Sequence, residues 1–217
     1  MEDYFEFDES GKVLMRAKKD CPSHVVIPNT VTEIGWAAFK GCTSLQSVDL
    51  PDSVSLIEGG AFSRCSSLPK ISVSRKSSCF VSVDGVLYDI DKKLLIRYPA
   101  GRDEKAFSIP DTVKMIGVGA FEGCTSLQSV DIPDSVSEIG SSAFFGCSSL
   151  QSVEIPDSMT EIGGEAFLGC TSLQSVEIPD SVTEIGNGAF AFCWSLQLVD
   201  IPDSVTKIGD YAFLLCI

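Results

Sequence analysis

Residues 149–170 read SLQSVEIPDSMTEIGGEAFLGC, and this stretch decides the fold. Its first part places Leu150, Val153 and Ile155 at positions 1, 4 and 6 of a short strand with one apolar face. Pro156 ends this strand because proline has no N–H group to donate to a sheet. Turn residues then lead into a second, short extended stretch, a Gly-Gly pair lets the chain reverse, and the Ala-Phe-Leu segment that follows is predicted to form a helical turn.

The stretch recurs along the chain with a step of 23 residues. One phenylalanine per unit keeps this step, at Phe39, Phe62, Phe121, Phe144, Phe167, Phe190 and Phe213. A unit this small cannot bury its own apolar side chains, so the units must stack as a solenoid in which residues of like phase are neighbours. The interval from Val73 to Ile109 is one step plus 13 residues, which indicates a repeat that carries an insertion.

The pattern LxxVxIPxxVxxIGxxAFxxC covers residues 25–73 and 109–217 and resembles the BspA-like (Treponema pallidum-type) leucine-rich repeats of bacterial surface proteins and some protists. The resemblance implies a β-rich α/β repeat protein. Its expected form is a curved right-handed leucine-rich-repeat solenoid with a concave parallel β-sheet, short convex strands and helical turns. The resemblance also implies adhesion or protein binding without catalysis.

These signals predict a single solenoid domain over residues 1–217, with about eight rungs. Its predicted segments are an N-terminal β-hairpin cap (1–26), repeats (27–73), a β-hairpin insertion within one repeat (74–108) and further repeats (109–217). The insertion is predicted because Asp84-Gly85 lies between two apolar β-type runs, the pattern of a two-residue hairpin turn. Since the sequence stops inside a repeat, we expect the C-terminal edge to be uncapped.

Acidic residues dominate the charge, with 30 Asp and Glu against 16 Lys and Arg and a formal charge of −14. Residues 115–217 hold most of this excess, with 14 acids and one base, Lys207. Such a surface disfavours nucleic acid and anionic lipid as partners. No apolar run is long enough for membrane insertion, and no secretory signal follows Met1. The missing signal and free core cysteines favour the cytoplasm, whereas the resemblance favours the cell surface, or secretion after removal of a leader.

Cysteine and histidine predict no catalytic or metal site. Seven of the nine cysteines lie three residues after the repeated phenylalanine, which predicts a column of buried packing residues without the short Cys-x2-Cys spacing of metal sites. We expect the other two, Cys21 and Cys79, to be more reactive. His24 is the only histidine, and no phosphate-binding or zinc motif accompanies it. The chain is therefore predicted not to be an enzyme and to use no cofactor or metal.

Acidic side chains recur on the predicted concave face. The candidate partner-binding residues are Asp131, Glu154, Glu177, Asp200, Asp49, Ser129, Ser152 and Ser175. Carboxylates of successive rungs would stand about 4.8 Å apart and repel one another, and a protein with a basic surface would relieve this repulsion. Calcium is a weaker candidate, because one row of side chains seldom supplies six to eight converging oxygens. The alternative is that duplication of the repeat multiplied a solvated face.

A second candidate contact surface is apolar and follows the repeated phenylalanine. Its residues are Phe145, Leu168, Phe192, Trp194 and Leu214. If exposed, they would form a stripe on the convex side, as contact sites often do. Together with the uncapped edge, this stripe would favour a structural protein that self-associates weakly, rather than a monomeric binding module. The alternative is that these side chains fold over the helical turn below them.

Overall fold

The computed structural model describes residues 4–216, which form two compact units: unit 1 (Met1–Arg102) and unit 2 (Asp103–Ile217). The predicted domain bounds at residues 1 and 217 lie outside the described range. Both units consist of short strands joined by turns. The strands are β1 (Phe5–Phe7), β2 (Val13–Ala17), β3 (His24–Val26), β4 (Glu33–Ile34), β5 (Ser47–Leu50), β6 (Leu56–Ile57), β7 (Ile71–Val73), β8 (Phe80–Val83), β9 (Val86–Asp89), β10 (Leu94–Arg97), β11 (Ala106–Ser108), β12 (Met115–Ile116), β13 (Ser129–Asp131), β14 (Glu138–Ile139), β15 (Ser152–Glu154), β16 (Glu161–Ile162), β17 (Ser175–Glu177), β18 (Glu184–Ile185), β19 (Leu198–Asp200) and β20 (Lys207–Ile208).

Each rung contributes one strand to a main sheet, and every rung except that of β7 also contributes a two-residue strand to a second sheet. In unit 2 the main sheet has the order β11-β13-β15-β17-β19 and is parallel throughout. Val153 pairs with Val130 on one side and with Val176 on the other, so each lateral step is one repeat. The parallel-stranded repeat solenoid predicted from the 23-residue step is confirmed.

The core of unit 2 is a stack of like side chains. The rings of Phe121, Phe144, Phe167 and Phe190 are fully buried and lie nearly parallel, with neighbouring centroids 4.8–5.3 Å apart. Burial of an aromatic side chain of this size is among the largest single contributions to a core. The ladder therefore fixes the register that places the surface residues of successive rungs beside one another.

The predicted helical turns are not helices, and no α-helix occurs within residues 4–216. In the repeat at residues 161–170, Glu165 and Gly169 adopt left-handed conformations with φ of 57° and 74°, which an α-helix cannot contain. The N–H of Phe167 donates to the carbonyl of Ala189 in the next rung, at 2.8 Å, instead of to a carbonyl four residues earlier. Hydrogen bonding between rungs replaces the helical pattern.

Unit 1 has the parallel main sheet β3-β5-β7 and begins with an antiparallel hairpin of β1 and β2. The Asp8 carboxylate accepts hydrogen bonds from the N–H groups of Lys12 and Val13, each at 2.9 Å, and thereby closes the hairpin turn. The bond from Val13 above all, followed by one from the Ser10 hydroxyl, lowers the pKa of Asp8 to about 2. Because β2 pairs in parallel with β4, the hairpin continues the second sheet of this unit.

The insertion is an antiparallel meander of β8, β9 and β10. Asp84 and Gly85 form its first turn with φ of 50° and 84°, as expected of a type I′ hairpin. Ser82 donates a hydrogen bond to the carbonyl of Ile71 at 2.5 Å, which ties the meander to the end of the main sheet of unit 1. At the carboxyl end of the predicted insertion segment, β11 pairs in register with β13 of the repeats.

Candidate interaction surface

The main sheet of unit 2 exposes one row of carboxylates, which we call the carboxylate row: Asp131, Glu154, Glu177 and Asp200. Glu177 pairs with Glu154 on one side and with Asp200 on the other. Val130, Val153 and Val176 beside them are buried, because successive residues of a strand point to opposite faces, and Val199 in the last strand is half-buried. The exposed serines predicted as candidates, Ser129, Ser152 and Ser175, form a parallel row two residues earlier.

The carboxylate row has no cation of its own. Its four side chains make no hydrogen bond and no ion pair with any other residue of the described range. Adjacent strands lie about 4.8 Å apart, and two like charges at this distance repel by about 1 kcal/mol in water before screening by salt. The row is thus a strip of concentrated negative charge that the folded protein leaves uncompensated.

Two further acidic rows, neither of them predicted from the sequence, follow the same 23-residue step. The first, here called the second row, lies on the short strands β14, β16 and β18 and comprises Glu138, Glu161 and Glu184. The other, here called the turn row, follows the repeated proline and comprises the exposed residues Asp111, Asp134, Asp157, Asp180 and Asp203. Their period is visible in the sequence, but the alternating apolar pattern identifies outward-facing positions only for the main strand.

The second row carries a cation, unlike the carboxylate row. Lys207 pairs in register with Glu184, and its ammonium group forms an ion pair with the Glu184 carboxylate. This contact is the main cause of the raised pKa of Lys207, with a smaller effect of Glu161. The pair shows how a lysine side chain from an adjacent strand satisfies a carboxylate of such a row.

Asp49, the fifth predicted carboxylate, belongs to the main sheet of unit 1 and is half-exposed. Its Oδ2 atom lies 3.5 Å from Nε2 of His24, and Nδ1 of the same ring is hydrogen-bonded to the Ser47 hydroxyl. In the strand register Asp49 has Ser72 as its neighbour instead of another acid. His24 therefore lies on the exposed face of the sheet, and Asp49 lies outside the carboxylate row.

The predicted apolar stripe contains side chains of different exposure. Phe145, Leu168 and Phe192 are half-buried, whereas Trp194 and Leu214 are exposed. Phe192 is one residue out of phase with Phe145, Leu168 and Leu214: it has a φ of 60° and occupies the position that glycine takes in the two preceding rungs. Whether these residues form a contact surface, and whether the chain self-associates, remain predictions.

Six of the seven thiols in the column are buried as predicted, Cys216 is half-buried, and the column has a hydrogen-bonding role that the sequence did not reveal. Sγ of Cys147, Cys170 and Cys193 each donates to the carbonyl oxygen of the repeated phenylalanine in the preceding rung, at 3.1–3.2 Å. The predicted reactivity of Cys21 is wrong, because Cys21 is 3% exposed and burial raises its pKa. Cys79 is half-buried.

Within residues 4–216, no group of three or more His, Cys, Asp or Glu side chains is arranged to hold a metal ion. Over the same residues, no helix has the length and apolar character needed to cross a bilayer.

The solved structures that are similar to this chain include several bacterial leucine-rich repeat proteins. A leucine-rich cell surface protein from Faecalibacterium prausnitzii is 37% identical, with a TM-score of 0.78 over 89% of this chain and 57% of the other. A leucine-rich repeat protein from Eubacterium ventriosum is 26% identical, with a TM-score of 0.72 over 88% and 64%. The leucine-rich repeat protein of T. pallidum is 28% identical, with a TM-score of 0.50 over 96% and 85%.

The chain spans only about three-fifths of the length of the first two of these proteins. None of the curated proteins matches it in sequence. The BspA-type leucine-rich repeat region matches in six copies, over residues 18–83 and 102–217. Since this match covers most of the sequence and the strands recur with its period, the chain belongs to the BspA-type leucine-rich repeat family.

Proposed function

We propose that this chain is a non-catalytic protein-binding module and that the carboxylate row binds a basic surface of its partner. The observation that carries the proposal is the row itself: four exposed carboxylates in neighbouring strands that form no ion pair with any residue between 4 and 216. A partner that supplies lysine or arginine removes the repulsion within the row and gains attraction at each carboxylate.

A repeat solenoid suits this role because each rung adds one equivalent position to an extended surface. The rows of serine and carboxylate offer hydrogen-bond acceptors at regular spacing, and the hydroxyl groups of Ser152 and Ser175 can donate as well. The similarity to a cell surface protein of F. prausnitzii favours adhesion as the context of this binding.

The experiment measures binding of a blocked tetralysine peptide, used as a cationic probe, to variants of equal net charge. The double variant Glu154→Lys/Glu177→Lys reverses two members of the carboxylate row. The control Glu138→Lys/Glu161→Lys reverses two exposed members of the second row that also lie on adjacent rungs, those of Asp131 and Glu154. We expect the first variant to lose affinity by about tenfold or more and the control by about threefold or less, because opposite charges attract at short range and are screened beyond about 10 Å.

The same titration in about 50 mM and about 300 mM salt tests the electrostatic origin, since affinity must fall as the Debye length shortens. Equal loss of affinity in the two variants would show that only net charge matters and would contradict docking on the carboxylate row. Affinity that does not depend on salt would contradict it as well.

A further inference from the structure

A groove lies in unit 1 at the place where the repeat pattern breaks. In the first two rungs a proline follows the main strand, Pro28 and Pro51, whereas Ser74 occupies this position in the third rung and the chain continues into the insertion. The groove crosses the carboxyl ends of β3, β5 and β7 and has a volume of about 450 Å³. This volume is in the range of sites that hold a small ligand or a large side chain.

The floor of the groove is apolar. Val26 is 48% exposed on the sheet, at the position where rungs of unit 2 carry the carboxylate row. Ile27 and Leu50, which are almost fully buried, and Pro51 and Val73, which are half-buried, complete this part of the lining. A ligand in the groove would therefore lie against aliphatic side chains.

Charged groups line the groove beside this floor. Asp49 and Asp52 come from one rung and Lys76 from the next. Asp49 remains 43% exposed although His24 lies 3.5 Å away. The exposed side chains of Asp52 and Lys76 form no ion pair with any residue in the described part of the chain. The groove thus combines aliphatic surface with two carboxylates and one ammonium group that are open to a ligand.

We propose that this groove binds one lysine or arginine side chain of an extended segment of the partner protein. The aliphatic stem of that side chain covers Val26 and Val73, and its cationic head pairs with Asp49 and Asp52. Lys76 pairs with an acidic side chain two residues further along the segment, which an extended chain presents on the same side. This inference rests on the proposed function, because it takes a basic partner as given and names the kind of residue that anchors it.

Other ligand classes match the groove less well. A compact hydrated cation gains nothing from an apolar floor, and a purely apolar ligand would remove water from two carboxylates without replacing it. An anion would meet two acids against one base. Lysine and arginine side chains join a hydrophobic stem to a charged head, which is the combination that this lining offers.

The test is an NMR titration of the whole chain with the blocked peptide acetyl-Gly-Arg-Gly-Glu-Gly-amide. The comparison peptide carries norleucine in place of arginine and so keeps an aliphatic stem without its charge. We expect amide shifts at Val26, Asp52 and Val73, and affinity for the norleucine peptide that is lower by about fivefold or more, the value of one favourable ion pair. The variant Asp52→Asn should weaken binding of the arginine peptide by about the same factor.

The matched control is Asp180→Asn, which removes an exposed aspartate at the equivalent turn position in unit 2 and should leave the affinity for the arginine peptide unchanged. Equal affinity for the two peptides, an unchanged affinity of Asp52→Asn, or no shifts at the groove would overturn the proposal. The variant Glu154→Lys/Glu177→Lys should retain binding of the arginine peptide. The experiments therefore distinguish a failure of the groove proposal from a failure of the proposal that the carboxylate row binds the partner.

Discussion

The ring of Phe144 stacks on the ring of Phe167, with centroids 5.1 Å apart and ring planes only 6° from parallel. Both side chains are fully buried, although 23 residues separate them in the sequence. Phe167 stacks in the same way on Phe190. Each ring therefore supports two neighbours, and the ladder transmits the register of the repeat through the core to the surface.

Replacement of one ring should destabilise the whole unit. We expect Phe167→Ala to lower the free energy of unfolding by about 3–5 kcal/mol, because it removes a buried aromatic side chain and leaves a cavity between two rings. Urea unfolding monitored by circular dichroism measures this loss. The control Trp194→Ala, at a side chain that is 56% exposed, should change stability by less than about 1 kcal/mol. Similar losses in the two variants would contradict a core built on the ladder.

The buried thiols should make stability depend on alkaline pH. Burial raises the pKa of Cys193 from 9.0 to about 12, so folding favours the neutral thiol. Its contribution is complete below about pH 9 and decreases as the pH rises towards the folded value of about 12. Between about pH 8 and about pH 10, wild type should lose about 1 kcal/mol more stability than Cys193→Ala. Urea titrations in the presence of a reductant measure the difference, and identical pH dependence would contradict a protonated buried thiol.

Two glycines in one repeat should respond differently to substitution by alanine. A Cβ atom on Gly163 would lie 2.8 Å from the carbonyl oxygen of Ile139 in the preceding rung, so the rungs would have to move apart. A Cβ atom on Gly169 would approach Gly146 no closer than 3.7 Å, an ordinary van der Waals contact, but Gly169 has a φ of +74°. We expect Gly163→Ala to cost about 3 kcal/mol and Gly169→Ala about 1 kcal/mol, from overpacking and from left-handed strain respectively. Urea unfolding ranks the two variants, and the reverse order would contradict the close approach of the rungs.

The carboxylate row should destabilise the isolated protein. Replacement of Glu154 and Glu177 by glutamine removes repulsion and should raise the free energy of unfolding by about 1 kcal/mol at low salt. In about 1 M salt the gain should vanish because the Debye length falls to about 3 Å. Glu184→Gln should instead lower the free energy of unfolding, because it removes the ion pair between Glu184 and Lys207. Urea unfolding at both salt concentrations tests the signs, and stabilisation by all three substitutions would contradict the distinction between the two rows.

The 23-residue step was sufficient to predict the parallel strands and the in-register side chains. It predicted the path of the backbone between strands less well. The segment around Phe167 has the composition of a helical turn, but its N–H group donates to Ala189 in the next rung. A pattern within one repeat does not reveal hydrogen bonds between repeats, so the local propensity was overruled by stacking.

Residues that do not follow the 23-residue repeat were the hardest to predict. Cys21 lies 21 residues before Cys42, out of phase with the thiol column, and was therefore expected to be accessible. The turn after the hairpin nevertheless places Cys21 against Cys42 in the core. The groove beside Asp52 likewise lies where Ser74 replaces the repeated proline. The sequence shows that the proline is replaced there, but it does not show that a groove forms.

The most direct test of the account is a disulfide cross-link between successive rungs of the carboxylate row, in a Cys79→Ser background. Glu154→Cys/Glu177→Cys places two thiols on paired residues of adjacent strands, about 4.8 Å apart and within the range that a disulfide spans. Glu154→Cys/Asp200→Cys separates them by two strands, about 9.6 Å. Under mild oxidation, mass spectrometry should detect an intramolecular disulfide in the first variant and free thiols in the second. Failure of the first to cross-link, or cross-linking of the second, would contradict the claim that this row is one continuous surface.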